Sequence, residues 1–277
     1  MALIPRFFLD CVVTIGVPLE KKQIRWIASG FLYGDFFKKD EKGENLYHVY
    51  LVTNRHVFGE LKKVLLRFNP KGKEAAKPYL LELVDTSSKK KLWAPHPNPS
   101  IDIAVTTINV KLLHDEEIQF AWFFNDKHVA TLDKMAELGI TEGDFVYTLG
   151  FPMELVGPER NYVIVRSGNI ARIQDAIDRR SNEFLIDAFT FPGNSGGPVV
   201  TKPETTAISK TKAVSSAYLV GVVQSYVPYQ DVAISEQTKR PRVIFEENSG
   251  LTAVIPIDFV VEAIHTYEET KAKESPP

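Results

Sequence analysis

The amino-acid sequence predicts an all-β protein, folded as barrels or as a sandwich. Short runs of Val, Ile, Leu, Tyr and Phe recur along most of its 277 residues, and polar turn residues separate them. Stretches with the apolar spacing of a helix are few. The length allows one large β domain or two medium ones, and an apolar content of 44% is ordinary for a folded globular protein.

The strand-like runs follow one another with short gaps, so each can be assigned in chain order. In the first half they cover residues 7–17, 24–33, 46–53, 64–69, 79–85 and 101–110. In the second half they cover residues 145–150, 162–173, 183–189, 199–201 and 217–226. Residues 116–134 are the least strand-like part of the chain and predict a linker between two halves.

One helix is predicted, near the C-terminus. Five apolar residues recur there at helical spacing, namely Ile257, Val260, Val261, Ile264 and Tyr267. Asp258 occupies a position that suits an N-cap. Residues 271–277 are polar and end in prolines, which predicts a flexible tail.

Charge and cysteine content argue against several classes of function. The 33 basic and 35 acidic residues give a net charge of −2, so neither nucleic acid nor an anionic membrane is expected as a partner. No apolar run approaches the roughly 18 residues of a membrane span. The single cysteine, Cys11, cannot form an internal disulfide, and residues 1–17 do not resemble a signal peptide. Together these features predict a cytoplasmic location.

A glycine-rich turn, Phe-Pro-Gly-Asn-Ser-Gly-Gly-Pro at residues 191–198, lies between two apolar runs. Such a turn can hold the Ser195 hydroxyl forward while backbone N–H groups point into one small volume. Acyl transfer needs both a nucleophile and donors for the oxyanion that forms on attack. The same residues also suit an ordinary β-turn with an incidental serine, so the motif needs support from elsewhere in the chain.

A nucleophilic serine needs a base, and the base needs a carboxylate to orient it. Of the six histidines, His56 is distinguished by its setting at the end of an apolar strand, where a cleft would lie. Asp102 lies at the entrance of the apolar strand 101–105, where burying an acid is costly unless it has a partner. The alternatives are a histidine that lies on the surface or is hydrogen-bonded in the core, and a strand-end aspartate that faces water.

Three motifs in this order carry a resemblance to a known family. Thr-Asn-Arg-His-Val at residues 53–57, Asp-Ile-Ala-Val at 102–105 and Gly-Asn-Ser-Gly-Gly-Pro at 193–198 resemble the motifs of trypsin-like serine peptidases. The order His, Asp, Ser also argues against an α/β-hydrolase, in which the acid and the histidine follow the serine. Pro198-Val199-Val200 predicts a strand where that fold needs a helix.

Other segments are similar to the disulfide-free branch of the family that includes the HtrA (Deg) proteases. They are residues 138–152, 165–170 and 250–256, so the resemblance extends from about residue 7 to residue 264. It implies two antiparallel six-stranded β-barrels, the first over residues 1–120 and the second over residues 121–270, the latter ending in the helix.

The resemblance also implies a role for each site residue. His56 becomes the general base and then the acid, Asp102 its orienting carboxylate, and Ser195 the nucleophile of a serine endopeptidase that forms an acyl-enzyme. The oxyanion hole is implied at Gly193, Asn194 and Ser195. No cofactor or metal is implied, the substrate is a polypeptide, and the oligomeric state stays open.

Specificity follows from the same comparison. Phe189, six residues before the serine, lies where the family has the base of the primary pocket. It carries no charge, so we expect a preference for apolar P1 residues, although Phe189 could instead fill the pocket. Gln224, Ser225 and Tyr226 are implied to pair with the substrate backbone. The polar insert at residues 227–249 is expected to be a loop, which shapes the pocket, acts as a gating loop, or is only a mobile surface loop.

Two departures from the family limit the comparison. Asn194 replaces the aspartate of digestive enzymes, so activation by a salt bridge to a newly cut N-terminus is not expected. The sequence also ends before a peptide-binding PDZ domain, so we expect no regulation by such a module. The alternative function is a catalytically silent module that binds peptides in a trypsin-like cleft.

Overall fold

The strands of the described residues form a nine-stranded sheet from the first half of the chain and a closed barrel of six strands from the second. All strand pairings are antiparallel except one, a parallel pairing of two residues within the sheet. A C-terminal helix follows the barrel. These elements are seen in a computed structural model that describes residues 4–20, 23–209 and 211–274. The all-β fold with a terminal helix is therefore confirmed.

The N-terminal sheet consists of β1 (Val12–Pro18), β2 (Ile24–Lys39), β3 (Asn45–Thr53), β4 (Lys63–Pro70), β5 (Lys77–Glu82), β6 (Ala94–Pro95), β7 (Ala104–Thr107), β8 (Ile118–Gln119) and β9 (Phe123–Phe124). Its main path is β5-β4-β1-β2-β3-β7-β6, with β8 beside β4 and β9 beside β2. The sheet does not close into the expected six-stranded barrel. Its edge strand β6 has only two residues, and Pro95 has no N–H to donate to a further strand.

Two sequence expectations for this half need correction. Residues 7–17 do not form one strand, because the chain makes a helical turn, α1 (Phe7–Asp10), before β1. Phe8 and Cys11 are three residues apart and both fully buried, which suits a helical turn and not a strand. Within the expected linker 116–134, β8 and β9 pair with the N-terminal sheet.

The closed barrel runs β10-β11-β12-β15-β14-β13. Its strands are β10 (Phe145–Gly150), β11 (Ile164–Arg172), β12 (Phe184–Asp187), β13 (Pro198–Thr201), β14 (Leu219–Ile234) and β15 (Pro241–Pro256). The insert at residues 227–249 is not a loop, because β14 and β15 stay paired beyond the barrel as a long hairpin. Its facing residues include Val232 with Ile244, and β-branched pairs of this kind favour strands.

Short helices lie between the strands: α2 (Arg55–Phe58), α3 (Val110–Asp115), α4 (Leu132–Leu138) and α5 (Gln174–Ile177). The predicted C-terminal helix is present as α6 (Asp258–Glu274) and extends four residues into the segment expected as a tail. Residues 275–277 of that segment lie outside the described residues. Asp258 is the first helical residue and not the N-cap; its carboxylate accepts the Leu132 N–H at 2.9 Å and pairs with Arg179.

The two halves share one of the three hydrophobic cores that the described residues form. It joins Phe31 and Tyr50 of the sheet to Leu149 and Val200 of the barrel and to Val260 of α6. The other two cores fill the sheet and the barrel separately. None of the helices within the described ranges is long and apolar enough to cross a membrane.

Candidate active site

His56 and Asp102 lie side by side because β3 and β7 are neighbouring strands. Thr53, the last residue of β3, pairs with Ala104, the first of β7. The turn that follows β3 is tied to the segment before β7, since the Asn54 side chain donates to the Asp102 carbonyl at 2.9 Å. The sheet therefore brings together two residues that are far apart in sequence.

Both carboxylate oxygens of Asp102 contact His56. Oδ1 accepts the backbone N–H of His56 at 2.9 Å, and Oδ2 lies 2.5 Å from the ring Nδ1. The Asp102 side chain is only 17% exposed, whereas the His56 side chain is 54% exposed. When Nδ1 donates its proton to the carboxylate, Nε2 keeps its lone pair and can accept a proton.

The glycine-rich turn is held from within by Asn194, which is 1% exposed. Its N–H donates to the Phe191 carbonyl at 2.9 Å, and its side-chain oxygen accepts the Phe191 N–H at 3.1 Å. The Asn194 N–H is therefore occupied. This corrects the expectation that Asn194 donates to an oxyanion, because the residue closes the turn instead.

The N–H groups of Gly193 and Ser195 are oriented by their neighbouring carbonyls. The Pro192 carbonyl accepts the Met153 N–H at 2.7 Å, so the Gly193 N–H of the same trans peptide points the opposite way. The Asn194 carbonyl accepts the Gly197 N–H at 2.9 Å. The Ser195 N–H belongs to the same trans peptide, so it points away from Gly197. Within residues 4–20, 23–209 and 211–274, neither N–H donates a hydrogen bond.

Position 193 requires glycine. Its φ is +100°, a region that L side chains rarely adopt. A Cβ there would lie 2.4 Å from the Phe151 carbonyl oxygen, far inside van der Waals contact. The backbone at this point is thus set by both conformation and space.

Ser195 and His56 line one cavity of about 260 Å³. The Ser195 hydroxyl donates to the Gln224 carbonyl at 3.2 Å, and among the described residues no hydrogen bond joins it to His56. His56, Gly193 and Ser195 therefore line the same cavity, and the Ser195 hydroxyl is held by strand β14. Hydrogen bonds between a nucleophile and its base are often long or absent before substrate binds.

Comparison with known proteins identifies the family. A family description, the trypsin-like peptidase domain, matches residues 28–207. The chain belongs to the trypsin-like peptidase family. A search of the curated proteins finds no match. A peptidase domain implies polypeptide substrates, and the match agrees with a chymotrypsin-like fold that has one closed barrel.

Ser29 holds the turn of this peptidase from the opposite half of the molecule. It is fully buried in β2, and its hydroxyl donates to the Gly193 carbonyl at 2.7 Å while accepting the Phe151 N–H at 2.9 Å. Its backbone N–H donates to the Ser195 carbonyl at 3.0 Å. Ser29 was not predicted from the sequence. Its only signal is a polar residue within the apolar run Ile27-Ala28-Ser29-Gly30-Phe31.

The loop that supplies the Met153 N–H is clamped to the N-terminal sheet. Arg67, 7% exposed, donates to the carbonyls of Val156, Gly157 and Pro158 at 2.8–3.1 Å. Burial lowers the pKa of this guanidinium. Met153 has a left-handed φ of +54°. The contact that orients Gly193 therefore depends on a loop fixed by a buried cation.

The cavity wall is mostly apolar. It is formed by Ile27, His56, Thr190, Phe191, Pro192, Gly193, Asn194, Ser195, Val223, Ser225 and Tyr226. Of the expected substrate-binding residues, Ser225 and Tyr226 line it, and Gln224 contributes the carbonyl that holds Ser195. Phe189 is not part of the wall: it is 49% exposed and its ring lies beside Gly250.

Proposed function

We propose that this trypsin-like peptidase is a serine endopeptidase that acts through Ser195, His56 and Asp102. The observation that carries the proposal is the double contact between His56 and Asp102 at the cavity that also contains Ser195. The free N–H groups of Gly193 and Ser195 support it, because they supply donors where an oxyanion would form. Carboxylate, imidazole and hydroxyl then have the roles that acyl transfer needs.

In the first step, the Ser195 hydroxyl leaves the Gln224 carbonyl and attacks the scissile carbonyl while His56 Nε2 takes its proton. The N–H groups of Gly193 and Ser195 stabilise the oxyanion. Asp102 stabilises the imidazolium, which protonates the leaving amine and leaves an acyl-enzyme. His56 then deprotonates a water, which attacks the acyl-enzyme ester, and it returns this proton to the Ser195 oxygen as the product acid is released.

We further propose that the P1 side chain is apolar. Among the residues that line the cavity, none is an acid or a permanently charged base. A lysine or arginine side chain would therefore lose water without gaining a counter-ion. Peptides that differ only at P1 test this expectation, and fastest cleavage after Lys or Arg would contradict it.

The branch of the family to which the chain belongs and its cellular location are also proposals. We place it near the disulfide-free HtrA (Deg) branch and in the cytoplasm. The single cysteine supports this: Cys11 is fully buried, and burial raises the pKa of its thiol, so it is a poor partner for disulfide exchange.

The decisive experiment is labelling with a fluorophosphonate, which reacts with an activated serine. We expect one label, located at Ser195 by mass spectrometry and lost in His56→Ala. His265→Ala is the matched control, because His265 also pairs through Nδ1 with a carboxylate, Glu269, at 3.4 Å, but on the exposed helix α6. An unlabelled protein, or a label elsewhere, would contradict the proposal and favour the silent peptide-binding module.

A further inference from the structure

A second cavity, of about 150 Å³, lies where α1, β4 and the segment before β11 meet. Its polar lining includes Arg6, Asp10, Arg67, Gln119, Arg160 and Asn161. It shares no lining residue with the cavity at Ser195. At roughly 30 Å³ per water, this space holds about five water molecules, so only a small ligand fits.

The wall of this second cavity carries more positive than negative charge. It contains the guanidinium groups of Arg6, Arg67 and Arg160 but only one carboxylate, that of Asp10. Neither Arg67 nor Arg160 forms an ion pair within residues 4–20, 23–209 and 211–274, because all their hydrogen bonds go to carbonyl oxygens. Burial lowers the pKa of Arg67, and no carboxylate is near enough to favour its cation. This buried cation lacks an anion, and an unpaired buried charge is costly.

Both guanidinium groups keep N–H donors without a partner. Arg67 donates three hydrogen bonds, all to the carbonyls of residues 156–158, and Arg160 donates four. A guanidinium has five N–H groups, so two remain on Arg67 and one on Arg160 within the described ranges. The bonds already made hold both groups in place, and a planar fork of N–H groups matches the oxygens of a carboxylate or a phosphate.

The same wall offers acceptors that lack a donor. The Asn161 side chain donates from Nδ2 to the Arg67 carbonyl at 3.0 Å, but its buried Oδ1 accepts nothing from the described residues. Asp10 Oδ1 accepts the Gln119 side-chain amide at 3.0 Å, and Oδ2 accepts no hydrogen bond in the same ranges. A buried acceptor without a donor costs stability. A ligand that fits this wall therefore combines an oxyanion with a hydrogen-bond donor.

We propose that the second cavity binds inorganic phosphate. Hydrogen phosphate brings oxyanion oxygens for the two arginines and an O–H group for Asp10 or Asn161. Its two negative charges match the surplus of positive charge in the wall, whereas bicarbonate brings only one. Sulfate has the charge but no O–H at neutral pH, and a phosphate monoester loses its last O–H at about pH 6.

The bound ion would join β4 to the segment that enters β11, so it would stabilise the folded chain by mass action. None of the residues around it takes part in the proposed acyl transfer. The inference therefore stands apart from the proposed function.

Isothermal titration calorimetry of the wild-type protein tests the proposal. The buffer is Tris-chloride of constant ionic strength at about pH 7.5, where phosphate monoesters have lost their O–H. The probes are inorganic phosphate, sulfate and methyl phosphate. We expect phosphate to bind about 10- to 150-fold more tightly than either of the others, as for one hydrogen bond to a charged group. Phosphate should also raise the melting temperature once its concentration exceeds its dissociation constant.

Two substitutions locate the ion. Replacing Arg67 would free the carbonyls of residues 156–158, so residues that hold no loop are better tests. Asp10→Asn keeps an oxygen for the Gln119 amide but also presents N–H donors, so the preference for phosphate over sulfate should fall about tenfold.

Arg6→Gln removes a charge from an exposed side chain that makes no hydrogen bond with the described residues. It should weaken phosphate binding about 1.5- to 5-fold, as for an exposed ion pair. Arg172→Gln is the matched control, because Arg172 is also exposed but pairs with Asp175 outside this cavity, and it should leave the affinity unchanged.

Several results would overturn the inference. They are no phosphate binding at about 10 mM, or equal affinity for phosphate and sulfate. An Asp10→Asn protein with the wild-type preference, or Arg172→Gln weakened as much as Arg6→Gln, would mean that the ion binds elsewhere. Methyl phosphate bound as tightly as phosphate would show that the O–H group is not recognised. Fluorophosphonate labelling reports on Ser195 alone, so this inference and the proposed function can fail separately.

Discussion

Removing the Ser29 hydroxyl tests whether the N-terminal sheet positions the glycine-rich turn at residues 191–198. Ser29→Ala leaves the Gly193 carbonyl and the Phe151 N–H without their partner, in a site where Ser29 is fully buried. Each unpaired buried group costs about 1–3 kcal/mol, so the free energy of unfolding should fall by about 2–6 kcal/mol. The glycine-rich turn can change its conformation to give the unpaired Gly193 carbonyl a new partner. If this makes the reactive conformation about 1.4 kcal/mol less favourable, the labelling rate should fall about tenfold.

The assay compares chemical denaturation with the rate of fluorophosphonate labelling in the same preparations. Thr14→Val is the matched control: Thr14 is also fully buried, lies opposite Ser29 in β1, and donates to the Ala28 carbonyl at 3.4 Å. It should cost about 1 kcal/mol of stability and leave labelling within about twofold. If Ser29→Ala is destabilised but labels as fast as wild type, Ser29 does not position the turn and the reasoning fails.

Three further changes give separate expectations. Asp102→Asn should lower turnover about 10⁴-fold, the size known for the equivalent change in a chymotrypsin-fold protease, with unchanged denaturation; a loss below about tenfold would mean that another carboxylate orients His56. Gly193→Ala should abolish labelling through its clash with a carbonyl, whereas Gly143→Ala, with a similar φ of +92° but open space, should label normally. Burial opposes ionisation of Glu142, but hydrogen bonds, first that of the Thr141 hydroxyl, lower its pKa from 4.5 to about 2. The ionised carboxylate therefore stabilises the folded state. This contribution is complete above pH 4.5 and is lost as the pH falls towards 2. Melting temperatures from pH 5 downward should therefore fall less steeply in Glu142→Gln.

The parts of the site that could be predicted from sequence are those with local chemistry. The glycine-rich turn needs particular residue types at consecutive positions, so Ser195 could be located without knowledge of the fold. His56 and Asp102 could be singled out because each is a polar residue at one end of an apolar strand. Strand β3 was predicted over residues 46–53 and observed as Asn45–Thr53 for the same reason, since its composition is almost entirely β-forming.

What could not be predicted depends on contacts between distant segments. Ser29 acts on residues more than a hundred positions away, and nothing local distinguishes it from other serines in strands. The inward orientation of Asn194 follows from its bonds with Phe191. The position of Phe189 outside the cavity wall likewise depends on how β12 approaches Gly250.

The hairpin was missed for a different reason. Residues 227–249 contain Pro228, Pro241 and several charges, which are typical of loops. In the structure the prolines lie where β14 meets a bulge and where β15 begins, so the ladder survives between them. Composition averaged over the insert hides the alternating pattern that the paired strands use.

Helix α6 has a consequence for when the candidate site is complete. Although it follows the barrel in sequence, it covers the first half: Tyr50 donates to Glu268 at 2.8 Å, and His96 lies 3.1 Å from Glu262. Every residue of the candidate site precedes α6, so a ribosome synthesises all of them before it synthesises the helix that covers the sheet. We therefore expect the sheet that carries His56 and Asp102 to reach its final stability only after α6 has emerged and folded.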